Sequence, residues 1–343
     1  MRRFVALLVA MFMIFTAVGC VRESTVPPES TPEASNSVSE SESTPETPEE
    51  TPVETTEPEV TESTPSETVP ESETPAETPA ELPAETDNKT DPKAPAELLR
   101  VMSYNIYTGA PDRTRAKKVA NNIKSFDPDI IGVQEINNAW TVVLNMVTDL
   151  LTVYEMIGEP RLDPSDKSNN NEYSAILYKK DKFDLIETDT YWLSDTPDKV
   201  SKFESTEYYR IMTYAVFERK SDGERFIHVN THLATDKTSR HKQIDVLLSL
   251  TESVIERYGD LPIYFTGDFN MINSDAGYSK MTAWGLDDSR YLLKYPNNSP
   301  TCGTIIIDYC FVSEGDFTVQ KFDVGYGLEG SDHNLIYIEM YIE

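Results

Sequence analysis

The chain has 343 residues and a formal net charge of −29, and its charge, prolines and aromatic residues are unevenly distributed. Residues 21–97 hold 21 acidic and 3 basic residues, 14 of the 22 prolines and no Phe, Trp or Tyr, which excludes a folded core there. Residues 98–343 hold 38 acidic and 25 basic residues, hence a net charge of −13. This charge argues against general electrostatic binding of nucleic acid but does not exclude nucleic acid as a substrate.

Residues 1–20 have the pattern of a secretory signal. Arg2 and Arg3 precede an uncharged apolar run over residues 4–18, which is short for a bilayer span. The run closes in AVGC (residues 17–20), which resembles the cleavage box of a bacterial lipoprotein, whose cysteine is lipidated. We therefore expect a lipid anchor at Cys20 and an extracytoplasmic, membrane-attached protein. A plain secretory signal with an incidental cysteine is the alternative.

Residues 21–97 are expected to form an extended tether. Their repeats of Thr, Pro, Glu and Ser favour polyproline-like conformations, and the like charges keep the chain open. A solvated spacer and a stalk that carries O-linked sugar both fit this composition, and neither would carry chemistry.

From Leu98 onwards the hydrophobic pattern predicts strands and helices in a single domain over residues 98–343. Strands are expected at residues 98–106, 130–133, 175–178, 183–190, 210–218, 226–233, 263–266, 304–312 and 335–342. Helices are expected at residues 113–126, where Asp127-Pro128 ends the helix, near 140–150, and at 239–258. Some strands follow one another directly and others are separated by helices, which favours two packed sheets with helices outside.

Two cysteines occur in this domain. Cys302 and Cys310 could pair outside the cytoplasm. However, Cys310 alternates with Tyr309 in a predicted strand, so two buried free thiols fit the sequence equally well.

Polar side chains stand at the predicted strand ends, where a rigid scaffold presents them to a cleft. Asn105 and Glu135 each end a strand, and an amide oxygen with a carboxylate is a normal partial shell for Mg²⁺. Asp268 and Asn270 alternate and so share a face, where they could orient a water molecule and hold a phosphoryl oxygen.

Two of the four histidines are candidates for chemistry. His232 ends a strand and alternates there with Asn230. His333 follows Asp332, but neighbours on a strand point apart, so the carboxylate that orients its imidazole must come from elsewhere, and Asp308 is the candidate. The remaining histidines are expected to be structural: His228 and His241.

In this order, the motifs resemble the endonuclease/exonuclease/phosphatase superfamily, the DNase I-like divalent-metal phosphoesterases. The resemblance extends over residues 98–343 and is carried by SYN (103–105), DPDIIGVQE (127–135), NEYSAILY (171–178), NTHL (230–233), GDFN (267–270), IDY (307–309) and SDH (331–333). A WLSDTP segment at 192–197 is similar to secreted bacterial members. The resemblance implies a four-layer α/β sandwich, in which helices flank two packed mixed β-sheets.

The resemblance also implies a role for each matching residue. Mg²⁺ or Mn²⁺ would be held by Asn105, Glu135 and Asp332. His333 would be the general base, paired with Asp308, while Asp268 and Asn270 would position the nucleophilic water and the phosphoryl group. His232 would contact the phosphate or protonate the leaving group, with Glu172 as its carboxylate partner. Further phosphate contacts would come from Arg210, Asn230 and Asn270.

We therefore predict a monomeric, lipid-anchored phosphoesterase that uses Mg²⁺ or Mn²⁺. Its substrate could be a small phosphorylated metabolite, a phospholipid headgroup or nucleic acid, and the acidic surface favours the first two over long duplex DNA. The alternative is a surface-tethered binding protein that reuses the fold without catalysis, although such a protein would have no need for the whole set of site residues.

Overall fold

The computed structural model describes residues 97–343 except residues 110 and 164. The predicted signal, the lipidation site Cys20 and the tether up to residue 96 lie outside the described residues. Within residues 97–343, no helix combines the length and the apolar character needed to cross a membrane.

The described chain alternates strands and helices. The strands are β1 (Leu99–Asn105), β2 (Ile130–Ile136), β3 (Glu155–Ile157), β4 (Tyr173–Tyr178), β5 (Phe183–Trp192), β6 (Ile211–Arg219), β7 (Arg225–His232), β8 (Ile263–Asp268), β9 (Leu286–Asp288), β10 (Asp308–Ser313), β11 (Phe317–Val324) and β12 (Ile336–Ile342). The helices are α1 (Arg113–Phe126), α2 (Asn138–Val147), α3 (Leu150–Val153), α4 (Lys237–Tyr258), α5 (Ala276–Ala283) and α6 (Ser289–Leu292).

The strands form two six-stranded sheets, with the orders β11-β12-β1-β2-β4-β3 and β5-β6-β7-β8-β10-β9. Each sheet has a parallel pair near its centre, β1 with β2 and β7 with β8, and antiparallel neighbours on both sides. Helices α1 and α4 make the two crossovers, because parallel neighbours cannot be joined by a hairpin.

Three apolar clusters hold the layers together. Residues of both sheets, such as Val101 and Phe226, pack between the sheets. On the outer faces, α1 packs on the first sheet through residues such as Val119, and α4 packs on the second through Leu247 and its neighbours. The arrangement is helix, sheet, sheet, helix, so the predicted four-layer sandwich of the DNase I-like fold is confirmed.

Local sequence explains where α1 begins and ends. The Asp112 side chain accepts a hydrogen bond from the Arg115 amide at the amino end. At the other end, Asp127 takes the left-handed conformation (φ 48°) directly before Pro128, so the helix cannot continue.

The structure adds elements that were not predicted, namely β3, β9, β11, α5 and α6, and it begins one predicted strand later than expected. The segment predicted as a strand from residue 304 is a turn up to Ile307, because the Ile305 amide donates back to the Cys302 carbonyl and β10 begins only at Asp308. Strand β11 was not predicted, since a bulge between Val319 and Lys321 breaks its alternation. Both cysteines of the domain are free thiols.

His228 lies between the sheets with none of its surface exposed. Its Nε2 is 2.7 Å from Thr266 Oγ1, and its ring stacks on Tyr264 at a centroid distance of 4.4 Å. Burial lowers the pKa of His228 to about 3. An exposed histidine of the unfolded chain binds its proton near pH 6.5, so acid favours the unfolded chain between about pH 6.5 and pH 3.

We expect His228→Phe to reduce the loss of stability in acid. Below about pH 6.5, wild type should lose roughly 1.4 kcal/mol more per pH unit than the variant. Urea unfolding at several pH values measures the two slopes. Tyr264→Phe is the matched control, because it removes a neighbouring hydroxyl that does not titrate in this range. Identical slopes for wild type and His228→Phe would contradict the buried, neutral state of this histidine.

Candidate active site

Side chains from both sheets converge at one edge of the sandwich. Strands β1, β2, β7 and β8 end there, because the crossovers α1 and α4 bring parallel strands to the same edge with their carboxyl ends together. Strand β10 runs antiparallel to β8 and begins at this edge, so that Asp308 lies opposite Asp268. The residues delivered by the strand ends are Asn105, Glu135, His232, Asp268 and Asp308.

Asp268 Oδ2 is the point on which the polar groups converge. Asn105 Nδ2 donates to Glu135 Oε1 at 2.9 Å and to Asp268 Oδ2 at 3.1 Å. The same Asp268 oxygen lies 3.4 Å from His232 Nε2 and 3.7 Å from His333 Nε2. One carboxylate oxygen therefore faces an amide and two imidazoles from both sheets.

Two residues of this edge hold the left-handed backbone conformation without being glycine. Glu135 (φ 63°) forms a bulge in β2 that turns its carboxylate into the cleft, where Oε2 accepts the Thr108 amide at 2.7 Å. Asn270 (φ 49°) donates its backbone amide to Asp268 Oδ1 and its side-chain amide to the Leu233 carbonyl, both at 2.9 Å. Such strained residues cluster at functional sites.

His333 and Asp308 form a buried pair, as the sequence predicted. His333 Nδ1 lies 2.9 Å from Asp308 Oδ2, and Ser331 Oγ accepts the His333 amide while donating to the Asn105 carbonyl. Burial lowers the pKa of His333, but Asp308 and further neighbours raise it by more, so it lies above its ordinary value. The contact is present, and the role of His333 as base stays a prediction.

The carboxylates at this edge of the sandwich disfavour one another's ionised form. Burial, and next Asp308, raises the pKa of Asp268 to about 7. Burial and the nearby Glu135 carboxylate also raise the pKa of Asp332, against the opposing effect of His333. Such a cluster is stabilised by a cation, and hard oxygen donors suit Mg²⁺ or Mn²⁺.

Two neighbouring groups, which share no residue, could hold that cation. Asp268, Asp308 and His333 offer ligand atoms within 4.8 Å of one another. The predicted set places Glu135 and Asn105 in contact, but the Asn105 amide nitrogen faces the carboxylates while its oxygen accepts the Tyr107 amide at 3.0 Å. Asn105 would therefore become a ligand only after its amide rotates. Because Asp308 and His333 already bind each other, the Glu135 side fits a cation better.

The predicted pairing of Glu172 with His232 is wrong. Glu172 instead forms a two-point ion pair with Arg161, with Nη1–Oε2 at 2.7 Å and Nη2–Oε1 at 3.1 Å. Sequence reasoning missed Arg161, which lies in a polar loop without periodicity. The available signal was that a buried glutamate needs a cation, and arginine matches a carboxylate at two points.

His232 and Arg210 line a small recess together with Arg161 and Glu172. Burial, and then Arg210 and Arg161, lowers the pKa of His232 well below its ordinary value, so the imidazole is neutral at neutral pH. A neutral imidazole keeps one N–H that can donate to a phosphate but is a poor acid for a leaving group, which favours the predicted phosphate contact over the role as an acid.

The prediction that Asn230 contacts the phosphate is wrong. Its side chain is fully buried between the sheets, and its amide donates to the Val133 and Ala175 carbonyls at 3.1 and 2.8 Å. Its oxygen accepts from Gln134 Nε2 and Thr266 Oγ1. Asn230 alternates with His232 and shares its face, but lies too deep to reach a substrate.

Comparison with known proteins identifies the family of the chain. The model of the Endonuclease/Exonuclease/phosphatase family matches residues 102–333. Among solved structures, a mannosyl-6-phosphatase from Bacteroides thetaiotaomicron VPI-5482 is 28% identical, with a TM-score of 0.60 over 71% of this chain and 100% of that chain. Another family protein from Bacteroides thetaiotaomicron is 27% identical, with a TM-score of 0.61 over 73% of this chain and 96% of that chain.

A curated relative acts on DNA. The 5'-tyrosyl-DNA phosphodiesterase of Caenorhabditis elegans is 26% identical over 176 residues, which are 50% of this chain and 42% of the relative. The chain therefore spans less than half the length of this relative.

The two candidate metal groups can be separated by titration. We expect Glu135→Gln to weaken Mn²⁺ binding by about tenfold or more, because it removes a charged ligand, whereas Asp308→Asn should change it by less than about threefold. Calorimetric titration of Mn²⁺ into each purified variant measures the dissociation constants. The reverse order would move the ion to the Asp268, Asp308 and His333 group.

Proposed function

The chain belongs to the endonuclease/exonuclease/phosphatase family, whose members are phosphoesterases and nucleases, and we propose that it hydrolyses a phosphate ester with the help of Mg²⁺ or Mn²⁺. The observation that carries this proposal is the convergence of an oriented imidazole, a cluster of carboxylates and buried guanidinium groups on one edge of the sandwich. A binding protein without catalysis would not need a histidine oriented by a buried carboxylate.

The proposed reaction begins with a water molecule between His333 and Asp268. Their Nε2 and Oδ2 atoms are 3.7 Å apart, which is too long for a direct hydrogen bond but allows both to contact one water. Asp308 accepts the Nδ1 proton of His333, so that Nε2 is the nitrogen that takes a proton from the water. The proposed proton route runs from water to His333 Nε2.

The phosphoryl group would lie against residues that donate hydrogen bonds. Neutral His232 and the buried Arg210 provide donors on one side. Asn270 is held by Asp268 and Leu233 close to the same oxygen. When bound near Glu135, the cation would polarise a phosphoryl oxygen and offset the carboxylates that raise the pKa of His333.

The proposed substrate is a phosphate ester. The similar proteins include a mannosyl-6-phosphatase and a 5'-tyrosyl-DNA phosphodiesterase, so the family supports both phosphomonoesters and phosphodiesters as substrates. The net charge of −13 on residues 98–343, from 25 basic and 38 acidic residues, favours small or lipid esters over long duplex DNA.

We expect His333 and Asp308 to act as a unit in catalysis. His333→Asn keeps a donor for Asp308 but removes the base, and should lower kcat roughly a hundredfold or more. Asp308→Asn should also lower kcat strongly, because the imidazole loses its orientation, and the double variant should be little worse than His333→Asn. The measurement is kcat on a chromogenic phosphate ester with Mg²⁺, with thermal melting as the check on folding.

Two results would count against this assignment. If the separate losses multiply in the double variant, Asp308 works independently of His333. If His333→Asn turns over substrate like wild type, the histidine is not the base, and the reading of the domain as a binding module gains support.

We also propose that the enzyme is held outside the cell membrane by a lipid on Cys20. The support is the sequence alone, AVGC at residues 17–20 followed by a tether without aromatic residues. Cys20→Ala should move the protein from the membrane fraction to the soluble fraction or block its processing. Cys302→Ala, which changes a thiol of the folded domain, should leave the fractionation unchanged. Membrane association that survives Cys20→Ala would mean that this cysteine is not the anchor.

A further inference from the structure

The recess beside His232 contains more positive charge than its carboxylate can offset. Arg161, Arg210 and Glu172 are 5%, 7% and 7% exposed, so all three are removed from water. Both carboxylate oxygens of Glu172 accept hydrogen bonds from Arg161. The Nε of Arg210 is buried without a hydrogen-bond partner, and no ion pair joins Arg210 to a carboxylate among the described residues.

The two guanidinium groups are also close to each other. Both lie over the ring of Tyr208, Arg161 at 5.0 Å and Arg210 at 5.7 Å from its centroid. Burial, and next the charge of Arg161, lowers the pKa of Arg210. The carboxylates of Glu172, Asp268 and Glu135 oppose this effect, but none of them forms an ion pair with Arg210, so its guanidinium keeps donors for an anion.

The size and place of the recess define that anion. Its volume is about 10 Å³, and Tyr173, Tyr209 and Ile211 complete its walls. Such a space holds about one water-sized group. His232 lines the recess and lies 3.4 Å from Asp268 Oδ2, so a group in the recess is adjacent to the proposed reaction centre.

Building on the proposed function, we propose that Arg161 and Arg210 bind a terminal oxygen of a phosphomonoester dianion, which makes phosphomonoesters the substrate class. A monoester has three terminal oxygens and carries up to two negative charges, whereas a diester has two terminal oxygens and one charge. With two terminal oxygens directed to the cation side and to Asn270, the third would enter the recess. In a diester that position carries a carbon substituent, which the recess excludes.

The reaction is then a simple hydrolysis. The water oxygen forms a bond to phosphorus, the bond between phosphorus and the ester oxygen breaks, and the alcohol leaves with one proton. The products are inorganic phosphate and the free alcohol, and no redox partner is needed.

The test compares two esters with the same leaving group, 4-nitrophenyl phosphate and methyl 4-nitrophenyl phosphate, in the presence of Mg²⁺. We expect wild type to favour the monoester in kcat/KM by about a hundredfold or more, because the diester leaves buried donors unpaired. The double variant Arg161→Gln/Glu172→Gln removes both members of the ion pair together, so neither is left without its partner, while Arg210 stays in place. Its kcat/KM should fall roughly a hundredfold for the monoester and less than about threefold for the diester.

A second ion pair, at the end of β6 that lies away from the site, is the control. Arg219 and Asp222 also form a two-point ion pair, at 2.8 and 2.6 Å, at the hairpin that joins β6 and β7. Arg219→Gln/Asp222→Asn should leave both rates unchanged. If the Arg161 double variant fails to fold, Arg161→Lys, which keeps the charge but not the paired donors, should change the ratio of the two rates in the same direction.

Binding of inorganic phosphate gives a second readout. Calorimetry should detect phosphate binding to wild type, weakened about tenfold or more in the Arg161 double variant. A preference for the diester, or equal losses on both esters, would overturn the inference and leave the phosphoesterase in place. If wild type hydrolyses neither ester, the proposed function fails, and the phosphate titration then decides separately whether the recess binds the anion.

Discussion

Asn230 is the buried side chain that ties the two sheets together. It belongs to the second sheet, yet its amide donates to two backbone carbonyls of the first, those of Val133 and Ala175. Its oxygen accepts from Gln134 of the first sheet at 2.7 Å and from Thr266 of the second at 3.0 Å. A buried polar group that loses its partner costs about 1–3 kcal/mol, so a displacement of one sheet along the other would break several such bonds at once.

The close approach of the sheets at this point requires a glycine. A Cβ atom on Gly132 would lie 2.0 Å from Thr266 Oγ1 and 2.5 Å from Asn230 Oδ1. These buried polar residues lie close to the site residues on their strands. Gln134 directly precedes Glu135, and Asn230 and Thr266 lie two residues before His232 and Asp268. The hydrogen bonds among Gln134, Asn230 and Thr266 therefore set the distance between the two halves of the site.

Local sequence predicted most of the elements but not every partner of their side chains. Helix α1 has its predicted bounds because capping, periodicity and a proline all act within a few residues. The residues at strand ends were also identifiable, since a parallel pair must end at one edge. The depth of Asn230 and the pairing of Glu172 with Arg161 were not, because alternation gives the face of a strand and not the distance from the cleft. Strand β11 was missed because its bulge interrupts the period of two residues.

The two sides of the site have opposite charge, so the binding of a cation on one side would affect the binding of a phosphate on the other. Asp268, Asp332 and Glu135 lie on one side and the guanidinium groups of Arg161 and Arg210 on the other, with His232 between them. Without a cation, the carboxylates repel the anion that the arginines attract. A divalent cation bound among the carboxylates would remove that repulsion, so cation and phosphate would strengthen each other's binding by the same factor. The proposed coupling would let a domain with a net charge of −13 (25 basic and 38 acidic residues) select a phosphate, because the charges within a few ångströms of the ligand would outweigh the screened charges of the distant surface.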